Sequence, residues 1–549
     1  MSSLLSADDL NDFIRPSVAC IKPTTNTNTN SNSSHMELEY EIDPQGEVTQ
    51  IRPNTNSSDL AKGAANAPKK LEKAQISLAD CLACSGCITS SEEVLVAQHS
   101  HKEFLKFLQE HQGEDITYVL SVSQQARASL AHAYSTSIEV MDMVLGKVFT
   151  KYGVKYAVSV NAGREVARSG IWEEIEKRRS GSGLGNEDIM MNLSGDGGNE
   201  TKSAGTGPLL TGICPGWVLF VEKTHPETLP YLSIVASPQF LTCQAVKKLL
   251  PGTVYNLSLM PCFDKKLEAS RDADVVDCVI TPKEFVVMTE EDGIDVSALV
   301  AEQEQEEMDK EDYVSWTRSV VPPGWPDYDG LCGWGGDSTW IDGDGREGGE
   351  SGGYALSYAI ECLRRLGEGH TIRRVSGRNS DVYEIQVVKN TGQVIRRAGI
   401  VNGFKNIQNL VRKLKDEKDG KKVVKKRGLR VRRRGDNSNG EGNGGPVSAL
   451  MAEPSTCDVV EVMACPGGCV NGGGQIASVS APVTSVSTDS EWIESVRRSY
   501  WSAPALTSSM DIDKVSWAAP LGVVAGRERA AVPPPPVQPG EELFIGATW

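Results

Sequence analysis

Short apolar runs rich in β-branched residues recur along the chain, each followed by a segment of helical character. "ITYVLSV" (116–122) precedes "QQARASLAHAY", and "YAVSV" (156–160) precedes "GREVARSGIWEEIEKRR". "PLLTGI" (208–213) leads into "WVLFVEKTH", "VYNLSLM" (254–260) into a charged helix, and "CDVVEVM" (457–463) into a glycine run. Strands of this length alternating with helices predict parallel βαβ units and an α/β body. Sheets of this kind take ligands beyond the carboxyl ends of their strands. Cysteines stand at three of those ends: Cys214, Cys262 and Cys465.

Polar stretches break this pattern. "TTNTNTNSNSSH" (24–35) is of low complexity and reads as a disordered spacer separating Cys20 from the next cysteines. Residues 180–207, the acidic 301–312 and 415–445 read as inserted surface loops, and the chain beyond 501 is Ser-rich and then Pro-rich. We expect an N-terminal module over 1–110, an α/β domain over 111–500 and a C-terminal tail over 501–549, a division that suits 549 residues.

A net charge of −17 leaves no basic footprint for general nucleic-acid binding. No run of about 18 apolar residues and no secretory leader is apparent, so a cytosolic or nuclear address is expected. In that reducing setting the thirteen cysteines read as thiols or metal ligands rather than disulfides.

Two cysteine constellations carry chemistry. "CLACSGC" places Cys81, Cys84 and Cys87 in a C-x2-C-x2-C run. That run is similar to the ferredoxin pattern for a four-iron cluster. A fourth thiolate is needed, and Cys20 can supply it because the intervening spacer folds back at little entropic cost. A zinc site of four thiolates remains the alternative, although such sites usually show paired C-x2-C halves. The second constellation is dispersed: "TGICPGW" (Cys214), "MPCFDKKLE" (Cys262) and "EVMACPGGCVNGGGQ" (Cys465 and Cys469). Each cysteine alone suits a buried structural thiol. Together, with prolines tightening the turns and glycines letting backbone amides approach, they suit a bulky anionic cluster.

These three motifs, in this order, resemble the cluster-binding signatures of iron-only hydrogenases, over roughly residues 75–500 without the inserted loops. The resemblance implies a two-lobed, hydrogenase-like α/β body in which Cys214, Cys262, Cys465 and Cys469 hold a four-iron cluster, with Lys265 and Glu268 lining the adjoining pocket. One departure stands out. Where the hydrogenases carry a proton-relaying cysteine, this chain has Ile213. That change and the single N-terminal site resemble the eukaryotic Nar-type branch, the cytosolic iron-sulfur assembly factors related to the nuclear prelamin A recognition factor. The resemblance implies two 4Fe-4S clusters, the first on Cys20, Cys81, Cys84 and Cys87. It also implies assembly-machinery proteins and apoprotein clients as partners, and no enzymatic turnover; an iron-sulfur oxidoreductase is the alternative.

Other features carry less. "GESGG" (349–353) matches a nucleophile elbow, but no strand precedes it, so it reads as a flexible glycine turn ahead of the helix "YALSYAIECLRRL". "GGNETKS" lacks the glycine a phosphate-binding loop requires before Lys202. The basic run 421–434 reads as a solvated insertion or an import patch, and Trp549 as a frayed end or a targeting handle. Cys243, Cys278 and Cys362 read as core thiols, while Cys332 and Cys457 show no partner at ligand spacing.

Overall fold

The computed structural model describes residues 39–42, 48–51, 95–180, 207–306, 309–326, 349–418, 451–476, 490–502, 518, 521 and 523. The chain divides into two units, Met1–Cys87 and Ile88–Trp549. In the first, strands Glu39–Ile42 (β1) and Val48–Ile51 (β2) pair antiparallel. Cys20, Cys81, Cys84, Cys87, the spacer 24–35, the basic run 421–434 and Trp549 lie outside the described residues.

The second unit is α/β and contains two sheets. One is wholly parallel, in the order β4-β3-β6-β7, from Ile116–Val122 (β3), Val154–Ser159 (β4), Thr253–Leu259 (β6) and Cys278–Ile280 (β7). Central β3 has Leu120 opposite Ala157 on one side and Leu257 on the other. Such a strand is enclosed on both faces, which is why it reads as an unbroken apolar run. Ser123, directly after β3, accepts the Ala126 N–H at 3.2 Å and starts the helix Gln124–Ala133.

The other sheet has the order β5-β11-β10-β9-β8. It consists of Leu209–Leu210 (β5), His370–Ser376 (β8), Val382–Lys389 (β9), Val394–Asn402 (β10) and Val459–Met463 (β11). Its β5, β11 and β10 are mutually parallel, while β8, β9 and β10 form antiparallel hairpins. The sheets are parallel-rich, as expected, but the strands of this antiparallel half, β8 to β10, were not among the expected apolar runs. Its local signal is the turn at Gly392, where φ is +87° and the Gly392 N–H reaches the Lys389 carbonyl at 2.7 Å.

Three boundaries differ from expectation. The acidic stretch 301–312 is largely helix, holding the end of Val296–Gln305 and the start of Lys310–Val320. Reciprocal capping between Asp309 and Asp312 starts the second helix, so charge here marks a helix end rather than a loop. Residues 95–110, assigned to the N-terminal module, belong to the α/β unit. Phe104 on helix His101–Glu110 is fully buried, with Tyr152 and Tyr255 rings at 6.2 and 6.0 Å. The expected tail contributes to the core as well, since Ala518 and Val523 are buried against the second sheet's hydrophobic cluster.

Candidate functional site

Strand ends from both sheets bring the dispersed constellation together. Cys214 follows β5 and occupies the N-cap of helix Pro215–Thr224, Cys262 follows β6, and Cys465 and Cys469 follow β11. Trp217 anchors the first of these turns: it is fully buried and its indole N–H donates to the Thr211 carbonyl at 3.1 Å. The Ala464 N–H donates to the Cys214 sulfur at 3.4 Å, tying the β5 and β11 ends together.

Cys262 is under the influence of the other three thiols. Burial pushes Cys262 well above the usual thiol value, and Asp264, Cys465, Cys214 and Cys469 raise it further. Cys214 is pushed up to about 12 by burial, then by Cys469 and Asp264. Burial also raises Cys469, against a hydrogen bond from Ser351 and the nearby cations Lys265 and Arg164. With the Cys214, Cys262 and Cys469 thiols all raised by burial, ligation at them displaces protons.

Buried cations and close-packed glycines surround them. Lys265 is 7% exposed and its Nζ lies 2.8 Å from Glu268, which also accepts a hydrogen bond from the Ser237 hydroxyl. Burial pulls the Lys265 ammonium down, but Glu268, Cys262 and Cys469 raise it on balance, so it remains charged. In the loop after β11, a Cβ at Gly472 would collide with the Pro261 carbonyl and one at Gly474 with Thr281. Only glycine lets that loop lie against the Cys262 turn.

Four thiols at these strand ends, with buried positive charge beside them, are a donor set of the kind a thiolate-held anionic cluster takes. Among the described residues no group of three or more His, Cys, Asp or Glu side chains is placed to hold a metal ion.

Some of what holds the site was missed in sequence. The "GESGG" turn is not flexible. The Glu461 carboxylate accepts the N–H groups of Gly352, Gly353 and Ala355 at 2.8, 2.9 and 3.1 Å. Arg164 donates to the carbonyls of Gly349 and Gly352 at 2.6 and 3.1 Å, and Gln125 donates to those of Glu350 and Ser351 at 2.7 and 3.1 Å. Ser351 within this turn accepts the Cys469 N–H at 3.0 Å. The only local hint was Glu461 heading the third cysteine motif without a stated task. Ile213 is 8% exposed and packs in the hydrophobic core beside this turn. Cys243, Cys278, Cys362 and Cys457 are buried, and Cys457 precedes β11, at the strand end opposite Cys465. Cys332 lies outside the described residues.

Lys266, fully buried, pairs with Glu284 at 2.5 Å and charges the surroundings of His99. Burial and then Lys266 lower His99 to about 4 from 6.5. Between those values the unfolded chain takes up a proton that the folded chain refuses. Stability is therefore intact above pH 6.5 and falls by about 3 kcal/mol as pH drops toward 4. Urea midpoints measured against pH should lose this component in His99→Gln; an unchanged pH slope would refute the assignment.

Residues 116–473 match the family described as iron only hydrogenase large subunit, C-terminal domain. Relatives named "Cytosolic Fe-S cluster assembly factor NAR1" include one from Candida albicans, 40% identical over 92% of this chain and 89% of its own length. Another, from Yarrowia lipolytica, is 38% identical over 94% of each chain. A solved FeFe-hydrogenase HydA1 chain from Chlamydomonas reinhardtii is a distant likeness, with 18% identity, a TM-score of 0.48, and coverage of 77% of this chain and 93% of that one. With its cysteine motifs gathered at the strand ends and relatives of this similarity over nearly its whole length, the chain belongs to the NAR1 family of hydrogenase-like proteins.

Proposed function

We propose that this protein is a cytosolic iron-sulfur assembly factor that holds two 4Fe-4S clusters and assists transfer of assembled clusters to cytosolic and nuclear apoproteins. The first cluster is held by Cys20, Cys81, Cys84 and Cys87, and the second by Cys214, Cys262, Cys465 and Cys469. The observation that carries the second assignment is the placing of the four cysteines beyond β5, β6 and β11, with the Ala464 N–H on the Cys214 sulfur joining two of those ends. The relatives' printed names support the assembly role.

The bound cluster would supply labile iron-thiolate bonds open to ligand exchange. This chain's residues do the rest. Lys265 and Arg164 offset negative charge, and Ser351 holds Cys469 in place through its backbone N–H. The partners would be proteins of the assembly machinery, such as a scaffold and a targeting complex, together with client apoproteins. They would meet the chain through protein contacts. No helix among the described residues is long and apolar enough to cross a membrane. An oxidoreductase reading has less support, because aliphatic Ile213 cannot pass a proton where a relay would need one.

Anaerobic iron and sulfide analysis of the reconstituted full chain tests the cluster count. The wild type should carry about eight irons, and Cys84→Ala and Cys469→Ala about four each. An undiminished count in either variant would remove that site; zinc in place of iron would remove both. Hydrogen evolution from reduced viologen would instead favour the oxidoreductase.

A further inference from the structure

We infer that Ser351 is a positioning residue for Cys469, holding that ligand on the second cluster through its hydroxyl. This inference rests on the cluster assignment proposed above. Three observations support it.

Ser351 touches its target directly. Its Oγ accepts the Cys469 backbone N–H at 3.0 Å. A hydroxyl oxygen can accept that bond, a capacity that alanine lacks entirely. The contact is also enclosed, since Ser351 is only 5% exposed and water does not readily substitute for it.

The serine is held firmly from its own side. Glu461 accepts the N–H groups of the next two residues, Gly352 and Gly353, and Gln125 and Arg164 hold carbonyls at positions 349–352. A rigid support of this kind lets one small side chain fix a ligand's orientation. The opposing loop is shaped to receive it. Gly468 has φ of +85°, and a Cβ there would lie 2.7 Å from the Ser351 Oγ. A left-handed glycine directly before Cys469 is the condition for the approach.

Outer contacts of this kind steady a ligand, and losing them typically weakens metal retention about 10- to 100-fold.

The test uses the full chain reconstituted anaerobically, with Ser351→Ala and Ser351→Thr beside the wild type. The rate of iron loss to a chelator is read in the Cys84→Ala background, which isolates the second cluster. Ser351→Ala should lose that cluster's iron about 10- to 100-fold faster, while Ser351→Thr stays near wild type. An alanine variant with unchanged iron loss overturns the inference. Equal perturbation in alanine and threonine overturns it too, because packing rather than the hydroxyl would then be responsible. If alanine does not fold, Ser351→Gly removes the same hydroxyl and is read by the same criteria. Failure of the underlying assignment looks different: Cys469→Ala would then leave the iron content of the Cys84→Ala background unchanged.

Discussion

Glu461→Ala should destabilise the α/β unit by about 3–5 kcal/mol, seen as a lowered urea midpoint of the metal-free protein. Glu461 is fully buried on β11, and its carboxylate is the acceptor for three backbone N–H groups at the start of helix Tyr354–Leu366. Each buried donor left unpaired costs about 1–3 kcal/mol, and the three share one relaxing turn, so the total falls short of their sum. Burial raises the Glu461 carboxyl above its usual value, while the three N–H groups and Arg164 oppose that shift and favour the charged form. Glu461→Gln keeps an acceptor oxygen and should lose distinctly less. The consequence extends to the site, because the same turn carries Ser351. A change below about 1 kcal/mol in the alanine variant would show that water or a relaxed turn replaces these bonds.

Asp142→Ala should cost a comparable 3–5 kcal/mol, roughly the penalty of removing one partner from a buried ion pair. Arg127 and Asp142 are 1% and 0% exposed in their side chains and meet at 2.6 Å. The Tyr313 hydroxyl donates to the same carboxylate at 2.7 Å, joining helices Ile138–Lys151 and Lys310–Val320. Truncation takes the carboxylate away and leaves the guanidinium charge buried. The pair itself contributes little beyond this, since desolvation offsets most of its attraction. Arg127→Met combined with Asp142→Leu should therefore recover most of the lost stability. A double variant as unstable as Asp142→Ala alone would refute that reasoning. Arg127 stands on helix Gln124–Ala133, which also carries Gln125 and Ser129; the latter pairs with Ile476 just beyond the glycine loop. Loosening this helix should thus weaken cluster retention as well as folding.

Much of this arrangement was legible in sequence because it is local. β3 coincides with "ITYVLSV", and β4, β6 and β11 fall within two residues of the expected runs, since buried parallel strands are continuous apolar segments. The run "PLLTGI" pairs over only two residues, because the chain turns after Leu210 toward Cys214. Cysteines placed just after strands were legible too, as such ends converge in parallel sheets.

The rigid turn was hidden because it depends on partners far away in the chain. Nothing near "GESGG" marks it as rigid, because its restraints come from Glu461, Arg164 and Gln125, more than a hundred residues distant in each case. The stretch 301–312 looked like a loop because charge was weighed above the capping chemistry of Asp309 and Asp312. Ala518 and Val523 looked like tail because burial of isolated small residues has no periodic signature.

By itself the sequence determined the α/β class, the placing of Cys214, Cys262, Cys465 and Cys469 at strand ends, and the need for glycine beside them. Those follow from short-range rules: side-chain periodicity, turn chemistry and ligand spacing. Only the tertiary structure decided which groups surround the thiols. The meeting of β5 and β11 in one sheet with β6 in the other sets Lys265, Arg164 and Ser351 around Cys469. The electrostatics of a buried site belong to contacts between distant segments, and those contacts exist only once the two sheets have packed.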